Sequence, residues 1–166
     1  MEISIKSITL IGAIILTGLS AGLFYGWAVS VIPGTKRVAD LPYLETMQSI
    51  NRAILNPQFF LVFFGSLVLL VVCTVQQFGN GLSFWLILLA LVTYLVGTVG
   101  VTGLGNVPLN DQLDALHIGE LSKQDMQQWR HFYESRWNRL HTIRTVMAVL
   151  AFVLSLISLI NFKSTF

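Results

Sequence analysis

An all-α transmembrane four-helix bundle is the fold this sequence predicts, on three observations. Of 166 residues, 54% are hydrophobic and only 11% are charged, less than half the charged share of an ordinary soluble domain. Charges are missing from long stretches: none falls between Lys6 and Lys36, between Arg52 and Asp111, or between Arg144 and Lys163. The middle gap is 58 residues long, room for two crossings and a turn, since one crossing takes about 20 apolar residues. Each outer gap fits one. The chain therefore reads as a single membrane domain with spans at about 7–31, 57–77, 82–104 and 141–160.

The first span carries Gly18, Gly22 and Gly26 on one face, a pattern that lets another helix approach closely. Tyr25 and Trp27 fall where interfacial aromatics are expected, and Pro33-Gly34 is expected to end the helix. The whole apolar segment is too long for a signal-peptide core and lacks a strongly basic start and a cleavage pattern, so retention is expected. A short amphipathic helix follows between spans 1 and 2, with Leu44, Met47, Ile50 and Ile54 at helical spacing and Gln48 and Asn51 on a shared face. Pro57 opens the second span in the tolerated first-turn position. The turn Phe78-Gly79-Asn80-Gly81 makes spans 2 and 3 an antiparallel hairpin.

Gly97, Gly100, Gly103 and Gly105 crowd the end of the third span, where helical order is expected to loosen. In the stretch Asn106-Val-Pro-Leu-Asn110-Asp111, Asn110 or Asp111 can cap a short helix running to Leu116. Ser122 with Asp125 resembles a capping box, and the helix it opens is expected to reach about Leu159 and extend beyond the bilayer. Along it Trp129, Tyr133, Trp137, Leu140 or His141, and Arg144 form one stripe on the inner face or at the interface.

Eight of ten Lys and Arg residues flank or occupy the two long connections. The positive-inside tendency then puts those connections in the cytoplasm, and the expected location is a bacterial inner membrane. The net charge of +2 is too slight and too mixed with acids for nucleic-acid binding. Cys73 is the one cysteine, which excludes an internal disulfide and a multi-cysteine metal site. His117 and His131 are not spaced to join His141, so no local zinc or iron ligand set is met.

Asn106, Asn110, Asp111, Gln48, Asn51, His141 and Arg144 are expected at the same end of the bundle. Buried amides without partners cost roughly 2–7 kcal/mol, so such a cluster either satisfies itself as a network tying loops to helices or awaits a ligand. His141 is the candidate for proton transfer, since imidazole exchanges protons near neutral pH. Arg144, three residues on, can stabilise an oxyanion or enolate. Trp129, Tyr133 and Trp137 can stack on a flat aromatic substrate or anchor the helix at the membrane interface.

These elements together resemble a family. Pro33 after a glycine-rich span, Met47-Gln48-x-x-Asn51, Asn106-Val-Pro-Leu-Asn110-Asp111 and Trp137-x-x-x-His141-x-x-Arg144 are similar to the anthrone oxygenase-like family of small four-span membrane proteins. The resemblance implies oxidation of anthrones by dioxygen with no metal, flavin or other cofactor. In that reading His141, Arg144 and Asn110 are catalytic, and Asn106, Asp111, Gln48, Asn51, Trp129, Tyr133 and Trp137 bind substrate. The partners implied are membrane lipid and a hydrophobic small molecule, with a homo-oligomer also allowed. The competing class is a non-catalytic membrane protein that binds a lipid, quinone or other apolar ligand, or supports a partner protein. A transporter ranks third, because four spans with few intramembrane ionisable groups give little material for alternating access.

Overall fold

The structure, a computed structural model, describes residues 4–161. Four helices in it are long and apolar enough to cross a membrane: α1 (Ile5–Thr35), α3 (Pro57–Gln76), α4 (Gly81–Asp114) and α5 (Lys123–Ile160). A shorter helix, α2 (Asp40–Ala53), lies between the first two, and no strand occurs among the described residues. The chain is an integral membrane protein on this composition. Apolar side chains such as Leu104, Phe78 and Ile160 stand exposed around the bundle, the arrangement that lipid favours and water penalises.

Local chemistry explains the boundaries. Asn56 accepts from the Phe59 N–H at 2.9 Å, capping α3 with Pro57 in its first turn. Gly79 and Gly81 have φ of 81° and 56°, values that glycine adopts without steric cost, and the α3–α4 hairpin turns there. Ser122 caps α5, accepting from the Asp125 N–H at 3.2 Å. With 38 residues at 1.5 Å each, α5 is about 57 Å long, far more than the roughly 30 Å hydrocarbon core.

Two expected breaks are absent. Pro33-Gly34 does not end α1, which runs on to Thr35 through a π-helical stretch at Trp27–Val31. The wider turn, in which the Ile32 N–H reaches back to Trp27 O, makes room where a proline ring crowds the preceding turn. The glycine-rich end of α4 does not loosen either. Thr93–Gly100 and Thr102–Asn106 are π-helical, and Val107–Asp114 continues as α-helix. Asn110 and Asp111 are therefore interior helix positions, not caps.

The glycine face of α1 is a further correction. Gly18 does meet a partner, since a Cβ there would lie 3.0 Å from the Phe152 ring, but Gly22 and Gly26 face open space. The tightest of the glycine contacts is at Gly97, where a Cβ would come within 2.3 Å of the Met147 side chain on α5.

At the end carrying the long connections, Arg130 fastens the α1–α2 link to α5. Its guanidinium donates to Val38 O at 2.6 Å and Thr35 O at 3.2 Å, and pairs with Asp40 and Glu134. Tyr43 lies under it, with the ring centroid 4.6 Å away. Burial, with Glu134 adding to it, pushes the Tyr43 phenol well above its ordinary range, so the hydroxyl stays protonated. Tyr43, Leu44, Met47, Leu113, Tyr133 and Trp137 then form one core that seats α2 on α4 and α5.

Candidate functional site

Helical spacing delivers the site. Tyr133, Trp137, His141 and Arg144 occupy one face of α5 and are all buried, while Thr102, Asn106 and Asn110 recur every four residues along α4. The two faces meet below α2, and a cavity of about 80 Å³ opens between them and α1. Phe24, Trp27, Asn51, Thr102, Asn110 and Arg144 are among its walls, with Trp137 and His141.

His141 is 1% exposed and its Nε2 lies 3.0 Å from Phe24 O. A carbonyl only accepts, so Nε2 carries the hydrogen and Nδ1 carries the lone pair. Into that lone pair Arg144 donates from Nε at 3.2 Å and Nη2 at 3.0 Å. The imidazole is thus neutral, with its basic nitrogen covered by a guanidinium.

Arg144 is 8% exposed, and no carboxylate pairs with it among the described residues. Its other polar contact is Thr102 Oγ1 at 3.4 Å. Aromatic faces partly compensate the charge, with Phe24 at 4.7 Å and Trp137 at 5.0 Å. Trp137 also stacks flat on His141, 4.9 Å away and 6° from parallel. Several kcal/mol is the usual cost of burying an ion without its counter-ion.

The amide orientations follow from one donor. The Trp137 Nε1–H can only donate, and it does so to Asn110 Oδ1 at 2.9 Å. The Tyr133 hydroxyl donates to the same oxygen at 2.9 Å and accepts from Asn51 Nδ2 at 3.0 Å. The Asn110 NH2 and the Asn51 carbonyl oxygen are left without partners among the described residues, and both residues line the cavity. The site therefore offers a cation, an amide donor and an amide acceptor to whatever enters.

Several expected site residues stand elsewhere. Asp111 is exposed on the outer side of α4. Gln48 donates to Leu113 O at 2.7 Å and Leu116 O at 3.1 Å, tying α2 to the end of α4. Trp129 packs edge-on against Phe132 beside a separate surface cleft. The stripe drifts off the inward face above Tyr133, because 3.6 residues per turn does not hold one direction in steps of four. Asn106 is fully buried behind the cavity wall. It donates to Trp137 O at 3.3 Å, while its Oδ1 is, among the described residues, the one side-chain nitrogen or oxygen wholly shut off from the surface and without a partner.

The structure adds Phe24, Trp27, Thr102 and Phe59 to the lining. Trp27 had an interfacial position by sequence, yet its ring packs 6.0 Å from Trp137. The π-helical turn that begins at Trp27 sets its direction. No periodicity rule marks such a turn in advance.

Fold and site together define a four-span membrane protein with a buried Arg–His pair facing an aromatic-walled cavity. Residues 57–154, more than half the chain, match the family described as anthrone oxygenase, and the chain belongs to that family. No curated protein and no solved structure matches it.

Proposed function

We propose that the protein oxidises a hydrophobic phenolic substrate of the anthrone type with dioxygen, beginning with proton abstraction at His141. The observation that carries this reading is the buried Arg144 guanidinium, which has no carboxylate partner among the described residues and lines the same cavity as Asn110, whose NH2 is unused. Both groups suit an oxygen that gains negative charge. A ketone oxygen becoming an enolate fits that description, and the Asn51 oxygen can accept from a neighbouring phenolic hydroxyl.

The Arg144–His141 contact makes the base conditional on the substrate. While Arg144 donates to Nδ1 the lone pair is unavailable. When the substrate oxygen draws the guanidinium to itself, Nδ1 is released to take the carbon-bound proton. The resulting carbanion carries its charge on the oxygen held by Arg144 and Asn110. It gives its electron pair to dioxygen at carbon, and the hydroperoxide formed after protonation loses water to leave a new ketone. Trp137, Phe24 and Trp27 supply ring faces and edges for stacking. The positive-inside tendency of the loop charges supports a cytoplasmic position for this end.

The test is dioxygen uptake and quinone formation by purified protein with a dihydroxyanthrone. Turnover should fall at least about 100-fold in His141→Ala, the usual range for a lost general base. Normal rates in both His141→Ala and Asn110→Ala remove the proposal. A ligand-binding role without catalysis is the second reading, favoured by the covered Nδ1, and it predicts substrate binding without dioxygen uptake.

A further inference from the structure

We propose that the natural substrate is a tailed phenol of the anthrone type, whose phenolic ring enters the Arg144–His141 cavity and whose alkyl or polyprenyl chain lies in a groove on the membrane face between α1 and α3. The inference rests on the reading of Arg144 as the seat of an acidic oxygen, and adds the class of molecule that brings it.

The cavity alone is small. Its volume of about 80 Å³ is roughly half that of a ~150 Å³ apolar cavity that holds a benzene ring, so a ring-bearing ligand would extend past its wall. One direction is open. Leu23, Ile54 and Phe59 line the cavity and also an external groove of about 500 Å³, whose other walls include Gly18, Gly22 and Val62. The two spaces therefore share a wall of three flexible apolar side chains.

Gly22 helps to open the groove. A Cβ at that position meets nothing within 4 Å, so the small residue leaves a trough where the sequence pattern suggested helix packing. The trough runs from Leu23 towards Gly18, away from the end with the long connections and into the apolar length of α1. A molecule lying in it has its ionisable end near the loops and its chain towards the bilayer centre, the orientation of any membrane amphiphile. Charge complementarity fixes which end enters, since the only charged group on the combined lining is Arg144. The walls of Phe24, Trp27 and Trp137 favour a ring over a bare carboxylate.

The full chain in phospholipid nanodiscs, without dioxygen, is titrated with para-dodecylphenol and para-ethylphenol, and binding is read from the fluorescence of Trp27 and Trp137. Gly22→Phe fills the trough and should weaken para-dodecylphenol binding about tenfold while para-ethylphenol changes less than about twofold. Val62→Phe fills it from the opposite wall and should give the same selective loss, should Gly22→Phe fail to fold. Arg144→Met should abolish binding of both probes. Equal responses of the two probes to the trough-filling variants overturn the tail inference alone. Undiminished binding in Arg144→Met overturns the seat itself, and the proposed function with it. Dodecanoate competing as well as para-dodecylphenol would show that no ring is required, contradicting the class proposed.

Discussion

Two buried polar clusters sit at opposite ends of this bundle, and they differ in what they leave undone. At the end with the short hairpin, Gln77, Ser83 and Ser158 are each at most 1% exposed. Ser83 donates to Gln77, Ser158 donates to Gln77 Oε1 at 3.3 Å and to Ser83 O at 3.1 Å, and all three groups are neutral. Tyr94 does similar service at mid-bundle, donating to Phe63 O at 3.0 Å with Ser20 alongside at 2.9 Å. These are hydrogen bonds between helices in lipid, each worth about 0.6–2 kcal/mol. The Arg144 cluster is charged, borders a cavity, and keeps an amide donor and an amide acceptor unspent. Polar residues in a membrane span have two uses, and partner accounting separates them where residue type does not.

The largest expected effect that could break this contrast is at Arg144. Arg144→Met should reduce turnover at least about 100-fold, as for loss of an oxyanion donor, while the melting temperature stays level or rises, because an unpaired buried charge is removed. A large loss of thermal stability would instead class Arg144 with the structural cluster. Asn110→Ala comes next, since it strips the shared acceptor from Trp137 and Tyr133 as well as the free donor. Its cost should show in both columns, turnover falling and stability dropping by about 1–3 kcal/mol for the orphaned donors. Gln77→Ala sharpens the comparison from the other side: unfolding should become easier by about 0.6–2 kcal/mol, with substrate affinity and turnover unchanged. The smallest effect belongs to the Arg52–Asp114 pair, 2.5 Å apart but 64% and 45% exposed. Arg52→Ala should shift stability by less than about 1 kcal/mol, and less still in high salt.

The spans and the amphipathic helix were legible because lipid enforces them: charge gaps of fixed length and apolar spacing leave little choice. The inward stripe of Tyr133, Trp137, His141 and Arg144 was legible for the same reason, as an expression of helical period. What escaped was local geometry that does not follow that period. Pro33 and the glycines after Gly97 looked like breaks, yet π-helical turns carry the backbone through both. Those turns bring Trp27 to the cavity, and they keep α4 helical through Asn110. Gly22 was misread because a missing side chain marks equally a close contact and an empty groove, and only the neighbouring helix decides. Asp111, Gln48 and Trp129 share the site's end of the molecule but face away from it, a distinction of direction that proximity in sequence does not carry.

The proposed role of Arg144, which has no carboxylate partner among the described residues, is to receive an acidic oxygen. It is tested most directly by mixing the protein with a dihydroxyanthrone in the absence of dioxygen and recording the absorption of the bound ligand. The native protein should show the red-shifted spectrum of the enolate, and Arg144→Met should lose it. Identical spectra from the two proteins would contradict it.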